Sequence, residues 1–192
     1  METFADYILA EQDVYQKMEI IRHLSQRKVN NTGMPEIYFD KSVVFKTELA
    51  RMFLDYTDIC KKDNIDKNLV LTACLLCNCK KVDNAQNIEK LHSYAKEGAN
   101  YLQGLGFDKR FTKICEEVNR YSNSAPREKE SDILELVDQF GGMLLDRPER
   151  IGFKPEEALV LLEHRNLKEH YNRYMNTFSE FVQMLQNIYI EV

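Results

Sequence analysis

The sequence predicts an all-α protein, and three observations predict it. Only 7 Gly and 4 Pro interrupt 192 residues, and Leu, Lys and Glu are abundant, a composition that favours helix over strand. Apolar positions recur at helical spacing along nearly the whole chain. The breaks in that spacing fall at polar, Gly- or Pro-bearing stretches such as "VNNTGMPEIYFD", "SNSAPREK" and "RPERIGFKPEEA". This length suits one domain with a sizeable core.

Phe4, Tyr7, Ile8, Tyr15, Met18, Ile21 and Leu24 form one stripe, which predicts an amphipathic N-terminal helix. A loop is expected over 27–41. The next stripe, Phe45, Leu49, Met52, Phe53, Tyr56 and Ile59, ends near "KKDNID", where Asp66 suits the N-cap of a third helix. That helix contains "LVLTACLLCNCKK", residues 69–81. It is apolar around most of its circumference, so it should be the central one. A fourth helix is expected over 88–103, with Gly104 or Gly106 as its C-cap, and a fifth over 108–121. "SDILELVDQFGGMLLD" is a sixth, apolar on several faces. Pro155 with acids behind it is a favourable start for a short helix to about 164. His164 and His170 then flank an expected turn. The last helix carries Tyr171, Tyr174, Met175, Phe178, Phe181, Val182, Leu185 and Ile188. This stripe reads most simply as core, with a partner groove as the alternative. The organisation is therefore 1–40, an N-terminal helix and loop, followed by a helical domain over 41–192.

Net charge is −5 without a concentrated basic tract, which argues against nucleic acid or an anionic membrane as partner. The opening "METFADYILAEQDVYQKMEI" mixes acids into its apolar positions, unlike a signal or transit peptide. No apolar run approaches the ~20 residues of a membrane span. Five cysteines, three of them crowded, do not suggest a disulfide framework, and a reducing cytoplasm is the simplest localisation.

The polar residues inside the apolar helices carry the functional question. Asn78 lies in the central helix. Asp138 shares a helical face with Leu134, Gly141 and Leu145. A buried carboxylate needs a cation, a metal or hydrogen-bond donors, and Asn78 and Lys81 are its expected partners. They form either a satisfied polar pair in the core or the remnant of a site.

At these residues the chain resembles HD-domain proteins, and among them the HD-GYP branch. Active members carry a run resembling A-x-L-L-H-D-I-G-K. Here it reads Ala73, Cys74, Leu75, Leu76, Cys77, Asn78, Cys79, Lys80, Lys81, so Cys77 and Asn78 replace the metal-binding His-Asp pair. In "YAKEGANYLQGLGF", Gly98, Ala99 and Leu102 match, but Tyr94 stands where the family has histidine, and His92 lies on another face. The family's later histidine pair has no counterpart in "EEVNRYSNS", and the Gly-Tyr-Pro loop is absent. "SDILELVDQFGGMLLDRPERIGFKPEEAL" resembles the closing segment, with the helix aspartate at Asp138, then Arg147-Pro148 and a Glu-Glu-Ala helix start. The resemblance covers about 43–185. It implies an HD-domain-like bundle preceded by the extra amphipathic helix.

For active members the resemblance implies hydrolysis of phosphoesters by two or more divalent ions. Such ions want carboxylate and imidazole ligands in a fixed array. Asp138 is the one carboxylate retained, and Tyr94 offers a phenol, a poor ligand at neutral pH because an unperturbed phenol has a pKa of about 10. The expectation is no cofactor and no metal, the nearest approaches to a ligand being Asp138 and Cys77. Cys74, Cys77 and Cys79 do not form a helical metal site, because 79 is rotated about 200° from 77. Buried, with no histidine adjacent in the pattern, they are also unsuited to nucleophilic catalysis.

The expected function is a catalytically inactive HD-GYP-like protein acting as a binding or regulatory module. Its pocket, lined by Asn78, Lys81, Tyr94, Asp138 and Arg147, would hold a phosphate-bearing small molecule through Lys and Arg. The N-terminal helix would meet a protein partner or a second copy. The alternative is a metal-dependent phosphohydrolase with residual activity on a nucleotide or cyclic dinucleotide.

Overall fold

The computed structural model describes residues 26–28, 35–37, 41–81, 93–118, 127–145, 151–168 and 171–190. Eight helices occur among them: α1 (Lys41–Tyr56), α2 (Ile59–Lys62), α3 (Lys67–Leu76), α4 (Tyr94–Gly104), α5 (Lys109–Glu116), α6 (Lys129–Leu144), α7 (Pro155–Lys168) and α8 (Met175–Ile190). The domain is all-α, as its composition predicts. The expected N-terminal helix lies outside the described residues.

The expected loop over 27–41 overlaps a small antiparallel pair, β1 (Gln26–Lys28) with β2 (Pro35–Ile37), in register Gln26↔Ile37, Arg27↔Glu36 and Lys28↔Pro35. Strands of three residues are too short to display an alternating pattern, which is why the sequence did not betray them.

Helix ends follow local chemistry. Asp66 caps α3 by accepting from the Leu69 N–H at 3.1 Å, as expected of an N-cap carboxylate. Asp108 does the same for α5, accepting from Arg110 N and Phe111 N. At the end of α4, Gly106 adopts φ 91°. Its N–H donates to Gln103 O, and the next N–H, of Phe107, donates to Leu102 O. That reciprocal pattern is a Schellman motif and requires the left-handed residue at Gly106, not Gly104. In α7, Glu157 reaches back to the Lys154 N–H at 3.1 Å, half of a capping box. This helix continues to Lys168, so the exposed His164 sits within it rather than beside a turn; His170 is outside the described residues. The expected second helix divides into α1 and α2 at Thr57–Asp58.

The start of α6 is capped from another helix. Glu117, fully buried at the end of α5, accepts from Glu128 N at 2.9 Å and Ser131 Oγ at 2.6 Å. Asp132, in the first turn of α6, is held by Arg127 at 2.8 Å and Arg173 at 2.6 Å. Carboxylates at this end favour the helix macrodipole.

Helices α1, α3 and α6 pack on one another, with α7 on α6 and α8 on α7 and α1. Phe53 of α1, Phe140 of α6, and Phe178 and Phe181 of α8 make an aromatic cluster. Ring centroids are 5.1 Å apart for Phe53–Phe178 and 5.3 Å for Phe140–Phe178, both edge-to-face, a favoured arrangement. From Tyr174 to Val182 the stripe of the last helix is therefore core. Tyr171, expected in it, precedes the helix and is exposed.

Candidate functional site

Asp138 sits in the interior of α6 and is 8% exposed. Three residues from two other segments converge on its carboxylate. Lys46 of α1 donates from Nζ to Oδ1 at 2.6 Å. Asn78 donates from Nδ2 to the same oxygen at 2.6 Å. Lys81 lies 3.4 Å from Oδ2.

The segment carrying Asn78 and Lys81 does not continue α3. After Cys77 the hydrogen bonds shorten their span: Cys79 N donates to Leu76 O and Lys81 N to Asn78 O. Asparagine competes poorly for helix interiors, and in such tighter turns residues three apart eclipse. Asn78 and Lys81 thus face α6 together. The expectation of a regular helix through 81 is corrected accordingly.

Lys46 was not among the expected site residues. The sequence stripe puts Phe45 and Tyr56 on one face with Leu49 and Phe53, yet these two are 38% and 45% exposed. The buried face is instead Val43, Lys46, Leu49, Ala50 and Phe53. The signal was present: Lys46 stands three, four and seven residues before Leu49, Ala50 and Phe53, the spacing of one helical face. A lysine on it is discounted because lysines are seldom fully buried unless paired.

Among the expected pocket residues, Asn78, Lys81 and Asp138 meet directly. Tyr94, at the start of α4, joins through Lys81, whose ammonium lies 5.1 Å from its ring centroid, within cation–π range. Arg147 lies outside the described residues. The helix α4 comes close because Gly98 lacks a side chain: a Cβ there would meet Cys79 Sγ at 3.3 Å and Cys77 O at 3.4 Å.

Electrostatics favour an ionised Asp138. Burial alone pushes its carboxyl up, but the charges of Lys46 and Lys81 and the hydrogen bonds from Lys46 and Asn78 outweigh it. The group is held well below the usual carboxylate range. Among the described residues Lys46 and Lys81 together exceed the single negative charge of Asp138 by one, which leaves a surplus cation. The Asn78 amide turns its nitrogen to Asp138, and its buried Oδ1 has no hydrogen-bond partner among the described residues.

Cys74 and Cys77 are suppressed as nucleophiles. Burial, then the Asp138 charge, pushes the Cys74 thiol up to about 12 and the Cys77 thiol well above its ordinary value. Cys79 turns away, its thiol 3.9 Å from Gly98 O. Thiols at such values are not thiolates at neutral pH. Among the described residues no three His, Cys, Asp or Glu side chains are grouped to hold a metal ion.

The divalent ions implied by the family resemblance do not fit these residues. Asp138 Oδ1 already accepts from an ammonium and an amide. Two like unit charges about 4 Å apart cost about 4 kcal/mol at a protein-like dielectric, so a divalent ion beside Lys46 meets roughly twice that. What the arrangement can do is present Lys81, whose side chain is 31% exposed, to an anion. No helix among the described residues is long and apolar enough to cross a membrane. Compared with known proteins, the chain matches no family model, no curated protein and no solved structure.

Proposed function

We propose that this chain is a catalytically inactive HD-GYP-like protein that acts as a regulatory binding module in a bacterial-type cytoplasm. The observation that supports the reading is the ammonium of Lys46 on Asp138 Oδ1 at 2.6 Å. On this reading an ammonium belonging to the chain satisfies the carboxylate that, in a hydrolase of the resembled kind, would face an inorganic cation. With its Oδ1 already holding an ammonium and an amide, Asp138 is poorly suited to hold a metal ion that would generate an attacking hydroxide. The cluster keeps a surplus positive charge at Lys81, beside the Tyr94 ring, and a phosphate-bearing small molecule is the ligand that suits it.

Two measurements test this. Metal analysis of the purified chain, with a phosphodiester hydrolysis assay, should find neither stoichiometric iron, manganese or zinc nor turnover; either one overturns the inactive reading. A thermal-shift series with inorganic phosphate, nucleotides and cyclic dinucleotides should raise the melting temperature with at least one of them, since a ligand of the native state stabilises it. No shift with any of them removes the phosphate ligand.

A further inference from the structure

Burying a lysine strips hydration from its ammonium and freezes a long stem, yet Lys46 is only 6% exposed. The molecule gives it a built seat. At the head, Asp138 Oδ1 receives the ammonium at 2.6 Å, and the Asn78 amide on the same oxygen fixes the carboxylate. Along the stem, the chain passes Gly141, three residues after Asp138 in α6. A Cβ at Gly141 would fall 2.9 Å from Lys46 Cγ, while its other neighbours, Phe45 Cε1 at 3.6 Å and Leu49 Cδ2 at 3.7 Å, are at ordinary contact. Glycine is a poor residue for a helix interior. The contact that an added methyl would violate here is with the lysine stem.

We propose that the Asp138 pocket is a binding site for one primary alkylammonium group, that Lys46 is its built-in occupant, and that Gly141 is the notch admitting the stem. The proposal goes beyond the loss of a metal site, because it states what the pocket holds instead, and it stands without any family resemblance. The ligand class follows from the acceptors. One carboxylate oxygen suits a compact ammonium head. A guanidinium prefers both oxygens in a fork, and Oδ2 faces Lys81. Hard divalent ions require several more oxygens than the cluster offers.

The test is chemical complementation. Lys46→Ala removes Cγ, Cδ, Cε and Nζ, which together are n-propylammonium. The variant should melt below the wild type, and n-propylammonium chloride should recover most of the loss. Tetramethylammonium chloride at equal concentration, which has the charge but no N–H donor, should not. Equal effects of the two salts, or none from either, overturn the proposal. If Lys46→Ala is recovered only unfolded, the same two salts are compared for refolding it, with the same outcomes deciding. The notch is tested separately. Gly141→Ala should lower the melting temperature of the wild type and raise that of Lys46→Ala, where the stem is gone and alanine is the better helix former. An equal drop in both backgrounds overturns the notch. No readout here involves hydrolysis, bound metal or phosphate, so failure of this proposal is distinguishable from failure of the functional one.

Discussion

Lys46 Nζ and Asp138 Oδ1 lie 2.6 Å apart where α1 packs on α6, and both side chains are buried. A buried ion pair contributes little net stability compared with apolar residues of the same volume, but deleting one partner leaves the other uncompensated. Asp138→Ala is therefore expected to cost about 3–5 kcal/mol, measured by urea unfolding. Lys46→Met should cost a similar amount. The double replacement Lys46→Met with Asp138→Leu should cost less than the sum of the two single variants, because neither charge is then stranded. Additive losses would mean that the two groups do not share one interaction.

The same carboxylate gives the protein an acid sensitivity of defined sign. Its folded-state pKa is depressed, against the effect of burial, by Lys46, Lys81 and Asn78. Below about pH 4, the ordinary carboxyl range, the unfolded chain takes up a proton that the folded chain refuses. Stability is fully present above that range and declines as pH falls. Glu48, lowered by its hydrogen bond to Arg51, and Glu128, lowered by its hydrogen bond to Lys113, add in the same direction. Urea unfolding repeated from pH 7 to pH 3 should show this decline. The Asp138→Asn variant should show a shallower one, by up to about 1.4 kcal/mol per pH unit for the one proton removed. Identical slopes would place Asp138 outside the titration.

Much of this was legible in the residues, and the exceptions have physical causes. Asp66 as a cap, Pro155 as a helix start and the Phe178–Phe181 stripe could be read because each is a local signal: a side chain bonding its own backbone, a fixed φ, a 3.6-residue period. Asp138 could be flagged because a carboxylate among apolar positions demands a partner. The identity of its main partner was not legible. Lys46 is 92 residues away in the sequence, and a lone lysine reads as solvated until a carboxylate is known to face it. The tightening after Cys77 was missed for a related reason. Hydropathy runs smoothly through 69–77 and Asn78 alone interrupts it, whereas hydrogen bonds spanning three residues instead of four leave no trace in it. The two-stranded pair at 26–28 and 35–37 is held by backbone groups, which every sequence has.

The buried end of α5 offers an independent check on the fold. Glu117 satisfies the Glu128 N–H and the Ser131 hydroxyl while fully buried. Glu117→Ala should leave those donors without an acceptor, at about 1–3 kcal/mol for each stranded group. Amide exchange should then speed up first at the start of α6, since local opening begins where the cap is lost. Loss of stability with no change in exchange at Glu128–Asp132 would separate Glu117 from helix capping.

Lys81 and Lys46 meet the same carboxylate and should nonetheless behave differently. Lys81 is 31% exposed against 7% for Lys46, and its distance to Asp138 is 3.4 Å. A part-exposed pair at that distance contributes at most about 1 kcal/mol, so Lys81→Ala should fold with near-wild-type stability. Its loss should instead be felt by an anion. Any melting-temperature rise produced in the wild type by a phosphate-bearing ligand should vanish in Lys81→Ala, and should shrink in the wild type as salt is raised, because screening acts on exposed charges. A rise that survives the substitution would locate the anion elsewhere on the molecule. A variant that unfolds would make Lys81, like Lys46, a counterion that the fold cannot spare.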